Sequence, residues 1–258
     1  MLVKIIVCIV AGLGAGLGTG FAGMSAAAVI APLLIAFLDV DAYAAVGIAL
    51  ASDVLASAVS TVTYAKNKHL DIRNGLVMMA CVLAFTVVGS WVASLVPLHI
   101  MSGVSTVVTL LLGIKFIVKP VIEPKPSLAN ASRKSKIIKS VICGSIVGFI
   151  CGFVGAGGGM MMLLLLITVM GYELKTAVGT SVFIMTFTAL TGAVSHFVIG
   201  GFPDWVTLLA CVLSTLLFAF IASKIANKAK PTVLNRVVGV VLLALGIAIL
   251  LVTYLPKQ

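Results

Sequence analysis

The chain has 258 residues, of which 62% are hydrophobic and 9% charged, with a mean hydropathy of +1.29. Soluble domains carry about 25% charged residues, so this composition excludes a water-soluble globular protein and requires a membrane one. The formal net charge of +10 arises from 17 Lys and Arg against 7 Asp and Glu, and where those cations fall decides between nucleic acid and membrane orientation.

Within lipid only helices and closed barrels satisfy their own backbone. The apolar runs are continuous and do not alternate with a period of two, which excludes barrel strands. Leu2–Val10 has the length of a signal-peptide core. Lys4, the only basic residue near its start, lies within it, and a glycine-rich run stands where a cleavage site would be, so it reads as the first membrane segment. Apolar segments then follow at 2–22, 24–38, 42–65, 74–96 and 99–118, and again at 137–154, 159–170, 174–199, 204–223 and 232–254. Between the two sets, residues 119–139 are rich in Pro, Ser and Lys and read as a linker. The expected organisation is a first transmembrane repeat over 1–118, a cytoplasmic linker over 119–136 and a second repeat over 137–258.

The two sets overlay at a constant offset of 132 residues. GFAG (Gly20–Gly23) falls on GFVG (Gly152–Gly155), AAVG (Ala44–Gly47) falls on TAVG (Thr176–Gly179), and with a shift of one residue Asp71 falls on Asp204. With five segments per half, fifteen of the 17 Lys and Arg lie on one side of the membrane, leaving only Lys4 and Lys257 opposite. The positive-inside rule makes that side cytoplasmic and puts both termini outside. An odd number of segments per half inverts the second repeat, a plan shared by many secondary transporters. The fold expected is therefore an all-α polytopic membrane protein of two inverted repeats, each of about five helical segments. The cations serve orientation and anionic lipid, and no nucleic acid partner is implied.

Segments 24–38 and 159–170 hold only 15 and 12 residues, against about 20 needed for a span. Each follows a glycine-containing turn and reads as a half-helix. The N-terminus of such a helix presents free N–H groups and a positive dipole end, which need protein, water or an anion as partner. Candidate substrate-binding residues are accordingly Gly155, Gly157, Gly158 and Gly159 in the second half, with Gly20, Gly23 and Ser25 in the first. Gly12 and Gly16 stand at GxxxG spacing and are assigned to helix packing.

Thr180 and Ser181 are candidate hydroxyl donors toward the Gly155–Gly159 break, or else bond back to their own helix. Asp53 lies near mid-membrane, where an ionisable residue is costly. It is a candidate carrier of a coupling proton, or a structural group paired with Ser52 or Ser57. His196, near the outer interface, is a second proton-coupling candidate or a hydrogen-bonded structural histidine. Cys8, Cys81, Cys143, Cys151 and Cys211 all sit in apolar runs with no metal-ligand spacing, so neither metal nor cofactor is expected. No HExxH, nucleophile elbow or Walker loop occurs, so the chain is not expected to be an enzyme.

GFVGAGGG (Gly152–Gly159), the apolar half-helix after it, AVGTS (Ala177–Ser181) and SHFVIGGFPDW (Ser195–Trp205) together resemble the sulfite exporter TauE/SafE family of bacterial and archaeal permeases. The resemblance covers nearly the whole chain. It implies a multi-pass transporter of sulfite, sulfoacetate, sulfonate or thiosulfate-class anions in the cell membrane. Gly155, Gly157, Gly158, Gly159, Thr180, Ser181 and His196 match its second-half pattern. The first half departs from it, with GMSAA (Gly23–Ala27) in place of a glycine triplet and GIA (Gly47–Ala49) where GTS is expected. The partners implied are a small anionic substrate, the lipid bilayer and a coupling proton or sodium, with a homodimer left open. A passive anion channel and a non-transporting scaffold subunit are the alternative readings.

Overall fold

The computed structural model describes residues 1–93, 132–154 and 158–254, with isolated helical positions within 110–118. Among the described residues all regular structure is helical. The elements are α1 (Leu2–Ala22), α2 (Ala27–Leu38), α3 (Ala42–Lys66), α4 (Ile72–Ala93), α5 (Arg133–Val154), α6 (Gly158–Thr168), α7 (Leu174–Gly200), α8 (Trp205–Lys228) and α9 (Pro231–Tyr254). Five of them, α1, α3, α4, α7 and α8, are long and apolar enough to cross a membrane. At 12 and 11 residues, α2 and α6 are half-helices. Residues 119–131 of the expected linker lie outside the described residues, and α5 begins at Arg133, within the stretch assigned to the linker.

The helix starts carry the duplication. Adding 132 to the first residues of α1 to α4 (2, 27, 42 and 72) gives 134, 159, 174 and 204, each within one residue of the starts of α5 to α8 at 133, 158, 174 and 205.

Glycines set how these helices meet. On α1, Gly12, Gly16 and Gly20 face Ser214, Phe218 and Ala222 in that order, so α1 and α8 run parallel. A Cβ at Gly16 would lie 2.7 Å from both Phe218 Cβ and Thr215 O, and one at Gly20 would lie 2.7 Å from Ala219 O. Only hydrogen fits between these backbones, which is how small residues drive helix association in lipid. The same glycines recur 132 residues on. Gly144 meets Met78 and Cys81, and Gly148 meets Val82 and Phe85, packing α5 parallel to α4.

A second glycine pair explains the repeated AVG. Gly47 of α3 lies against His196 and Phe197 near the end of α7, while Gly179 of α7 lies against Tyr64 and the carbonyl of His69 near the end of α3. These two helices are therefore antiparallel, with one close approach at each end.

The contacts orient the halves. Lys4 of α1 pairs with Asp204 where α8 starts, whereas α4 starts at Asp71, whose partners Tyr172 and Thr180 lie at the beginning of α7. The helix α4, and α5 parallel to it, thus start at the opposite end of the bundle from α1 and α8. The repeats are inverted. Every described Lys and Arg except Lys4 gathers at the Asp71 end, on the tips of α3, α5 and α8 and the starts of α4, α7 and α9.

Candidate functional site: two half-helices that meet

The first break is built by backbone closure. Gly23 adopts φ +61°, the left-handed conformation that glycine takes without strain, and ends α1. The amides of Gly23 and Met24 donate to the carbonyls of Thr19 and Gly18, and the Thr19 hydroxyl donates to Met24 O at 2.9 Å. Ser25 then precedes α2, its Oγ accepting from the Ala27 amide at 3.3 Å. The same hydroxyl donates to Asp53 Oδ2 at 2.7 Å, and Ser57 donates to Oδ1 at 2.9 Å. Asp53, 1% exposed, therefore lies at the N-terminus of α2, with the Ala26 amide also directed at it. Of the two serines expected near it, Ser57 is the partner, while Ser52 bonds back to Ile48 O.

In the second break, Gly155 and Gly157 lie outside the described residues. Gly158 opens α6 and Gly159 is buried against the first break. A Cβ at Gly159 would stand 2.8 Å from Ser25 N, 3.0 Å from Gly23 O and 2.9 Å from Met185 Sδ. Ser181 closes the junction, donating to Gly23 O at 3.0 Å. The tertiary structure thus gathers Gly23, Ser25, Asp53, Gly159 and Ser181 at one place, where two half-helix N-termini abut.

Three other candidates sit elsewhere. Thr180 faces α4, its hydroxyl accepting from the Asp71 amide at 3.2 Å. Gly20 packs on α8, and its carbonyl accepts from the Tyr64 hydroxyl at 2.8 Å. His196 is fifteen residues along α7 from Ser181, about 22 Å at the helical rise. Its Nδ1 donates to Gly192 O at 2.9 Å, which assigns the proton to that nitrogen, and its ring stacks on Tyr43 with centroids 4.3 Å apart.

The sequence reading missed a polar stripe on α3. Asp53, Ser57, Ser60 and Tyr64 fall at i, i+4, i+7 and i+11, one face of a helix, and all four are at most 1% exposed. Ser60 Oγ is buried with no partner among the described residues. The stripe runs from the junction toward the Asp71 end, and its spacing is legible once 42–66 is taken as one helix.

Two equivalent capping carboxylates mark the ends. Asp71 caps α4, accepting from the Asn74 amide at 3.0 Å, from Asn74 Nδ2 at 2.7 Å and from the Tyr172 hydroxyl at 2.6 Å. Burial pushes its carboxyl up, but these donors and the charge of Lys136 outweigh it and hold the group below its ordinary range. Burial and the adjacent carboxylate push the Tyr172 hydroxyl up. Asp204 caps α8 through Thr207 and pairs with Lys4 at 2.7 Å. Lys4 first, then the Thr207 donors, hold Asp204 well below the usual carboxylate range. Lys136 is Lys4 plus 132, so one charge arrangement appears at both ends.

These features define a polytopic α-helical membrane protein on the inverted-repeat plan, with a half-helix from each repeat opening at a shared junction inside the bundle. The family model for the sulfite exporter TauE/SafE matches residues 8–249. The chain belongs to that family, a family of membrane transporters and not of enzymes. It is similar to the probable membrane transporter protein YunE of Bacillus subtilis, 24% identical over 93% of this chain and 95% of that one. A second Bacillus subtilis relative, the probable membrane transporter protein YdhB, is 21% identical over 86% of this chain and 91% of its own length. The probable membrane transporter protein ORF9 of a Sinorhizobium species is 24% identical over 74% and 72%.

Proposed function

We propose that the chain is a secondary transporter of a small sulfur-containing oxyanion of the sulfite, sulfonate or thiosulfate class. The anion binds at the N-terminus of α6, where Gly159 meets the Gly23–Ser25 turn that Ser181 bonds, with Gly155, Gly157 and Gly158 as the further candidate ligands. The observation that carries this reading is the junction itself. Two half-helices point their amide ends at one buried place, next to Gly159 and Ser25, in a member of a transporter family. Amide ends inside lipid favour a negative partner, because an unpaired donor there is costly and the helix dipole adds to the attraction. The basic Asp71 end faces the cytoplasm under the positive-inside rule, which leaves Lys4 and Asp204 outside.

Coupling is assigned to a proton on Asp53. At an effective dielectric constant near 20, two unit charges 4 Å apart repel by about 4 kcal/mol, and the term falls inversely with distance. An arriving anion therefore raises the affinity of the neighbouring carboxylate for a proton, and the two move together. The stripe through Ser57 and Ser60 supplies the polar route on to Tyr64.

The test is flux in proteoliposomes with sulfite, thiosulfate, sulfoacetate and simple carboxylates, with and without a pH gradient. Saturable flux of a sulfur oxyanion, stimulated by the gradient and made pH-independent by Asp53→Asn, is expected. Flux that does not saturate makes the chain a channel. An unchanged pH response in Asp53→Asn removes the coupling role.

A further inference from the structure

We infer that Ser60 holds a buried water molecule that hands the coupling proton to Asp53 from the cytoplasmic end of α3. The inference rests on the coupling role proposed for Asp53 and adds to it the path by which the proton arrives.

A hydroxyl inside a helix can satisfy itself on the carbonyl one turn back, and α3 does this beside the stripe. Ser52 donates to Ile48 O at 2.9 Å and Thr63 to Val59 O at 2.8 Å. On the stripe the hydroxyls are used differently. Ser57 donates to Asp53 Oδ1 at 2.9 Å and Tyr64 to Gly20 O of α1 at 2.8 Å. Between them Ser60 Oγ, fully buried, makes no bond to its own helix or to any neighbour among the described residues. A hydroxyl taken out of water without a partner is costly, so a polar ligand belongs on it.

Packing does not demand that hydroxyl. At the offset of 132, Asp53, Ser57, Ser60 and Tyr64 correspond to Met185, Ala189, Gly192 and His196 on α7. Ala189 and Gly192 occupy the equivalent places without a polar side-chain atom. The fold therefore requires small residues there, and the hydroxyls are an addition of the first half.

The available partners define the ligand. Ser60 has a proton to give, whereas Ser57 and Tyr64 have committed theirs and keep only lone pairs. An anion would meet a single donor. A water that accepts from Ser60 and donates to Ser57 and Tyr64 meets all three, and about three bonds is the usual complement of a buried water. The spacing agrees. Ser57 and Ser60 are separated by about 4.5 Å along the axis, within the roughly 5.6 Å that two hydrogen bonds through one water span. The Tyr64 ring leans back over the preceding turn, toward Ser60.

These bonds point one way. As Ser57 passes its proton to Asp53 Oδ1 it takes one from the water, and the water regains one from solution. At Ser57 and at the water one O–H bond breaks and one forms, and the net change is a single proton on Asp53. Asp53 stands thirteen residues from Lys66 at the end of α3, and Ser60 six, or about 20 Å and about 9 Å at the helical rise. The water is thus the relay's entry from the basic, cytoplasmic end.

Infrared spectroscopy of the purified protein follows this proton without any transport. The carboxyl C=O band that Asp53→Asn removes reports protonation of Asp53, and its rise after a jump to acid measures delivery. Ser60→Ala should slow that rise at least about tenfold, the effect on a barrier of about one lost hydrogen bond. Ser52→Ala, equally buried but off the stripe, should leave it unchanged. A wild-type rate in Ser60→Ala, or a spectrum from which Asp53→Asn removes no band, overturns the inference. Ser60→Cys, similar in size but a weak hydrogen-bond partner, takes its place if the alanine variant does not fold. In proteoliposomes Ser60→Ala should lose flux driven by a pH gradient yet keep sulfite counterflow at equal pH on both sides. Loss of both makes Ser60 a structural residue and overturns the inference. Should the wild type move none of the sulfur anions, the proposed function fails, and the infrared rates alone decide whether Ser60 delivers protons to Asp53.

Discussion

Replacing Gly16 with alanine probes the contact that holds the two repeats together. The added Cβ would lie 2.7 Å from Phe218 Cβ, 2.7 Å from Thr215 O and 2.8 Å from Ala219 N. Two of these are backbone atoms and the third is fixed to backbone, so no flexible side-chain tip can move aside and α1 must separate from α8. Overpacking of this kind costs about 1–3 kcal/mol, and the better helix propensity of alanine returns about 0.5–1 kcal/mol. A net loss of up to about 2.5 kcal/mol follows, which at about 2–4 °C per kcal/mol for a chain of this size lowers Tm by up to about 10 °C. Gly148→Ala should behave alike, since its Cβ would stand 2.8 Å from Val82 Cα and 3.0 Å from Phe85 Cβ at the equivalent α5–α4 contact. Gly14→Ala, on a partly exposed face of the same helix, should be neutral or stabilising. Melting of the purified variants in detergent, followed by loss of the monodisperse peak on size exclusion, measures all three. If Gly16→Ala melts with or above Gly14→Ala, the close parallel approach of α1 and α8 is wrong, and with it the orientation of the halves.

Removing the hydroxyl in Tyr172→Phe takes one donor from the half-buried Asp71 carboxylate and should cost about 1–3 kcal/mol, as expected for a charged acceptor losing a partner. The same carboxylate makes stability depend on pH. Its folded value lies below the ordinary carboxyl value, so its contribution is present above the unfolded value of about 3.9 and is lost as pH falls through that value toward the folded one. The wild type should therefore lose stability on acidification below about pH 5, and Tyr172→Phe should lose less over the same interval. An identical acid dependence in the two proteins would show that the Tyr172–Asp71 bond does not hold the carboxylate ionised.

The sequence by itself determined the solvent, the helices and the repeat. Mean hydropathy and the scarcity of charge required lipid, and continuous apolar runs required helices. The 132-residue offset already contained the boundaries of α1 to α4 in those of α5 to α8. The lengths of α2 and α6 were legible too, because an apolar run too short to span is countable. These are local or periodic properties, readable along one dimension. What only the tertiary structure decided is which residues from distant helices share a place. Thr180 and Ser181 are adjacent in sequence, yet a step of about 100° around the helix sends one to Asp71 and the other to Gly23. Gly20 shares a motif with Gly23, but the left-handed turn at Gly23 lies past the end of α1, so Gly20 remains packed on α8. His196 matched a family pattern and stands more than half a helix away from the junction. Asp53 was recognisable as costly from its depth alone. That it sits at the amide end of α2, opposite a methionine at the equivalent place, follows only from folding α3 and α7 back across the two breaks.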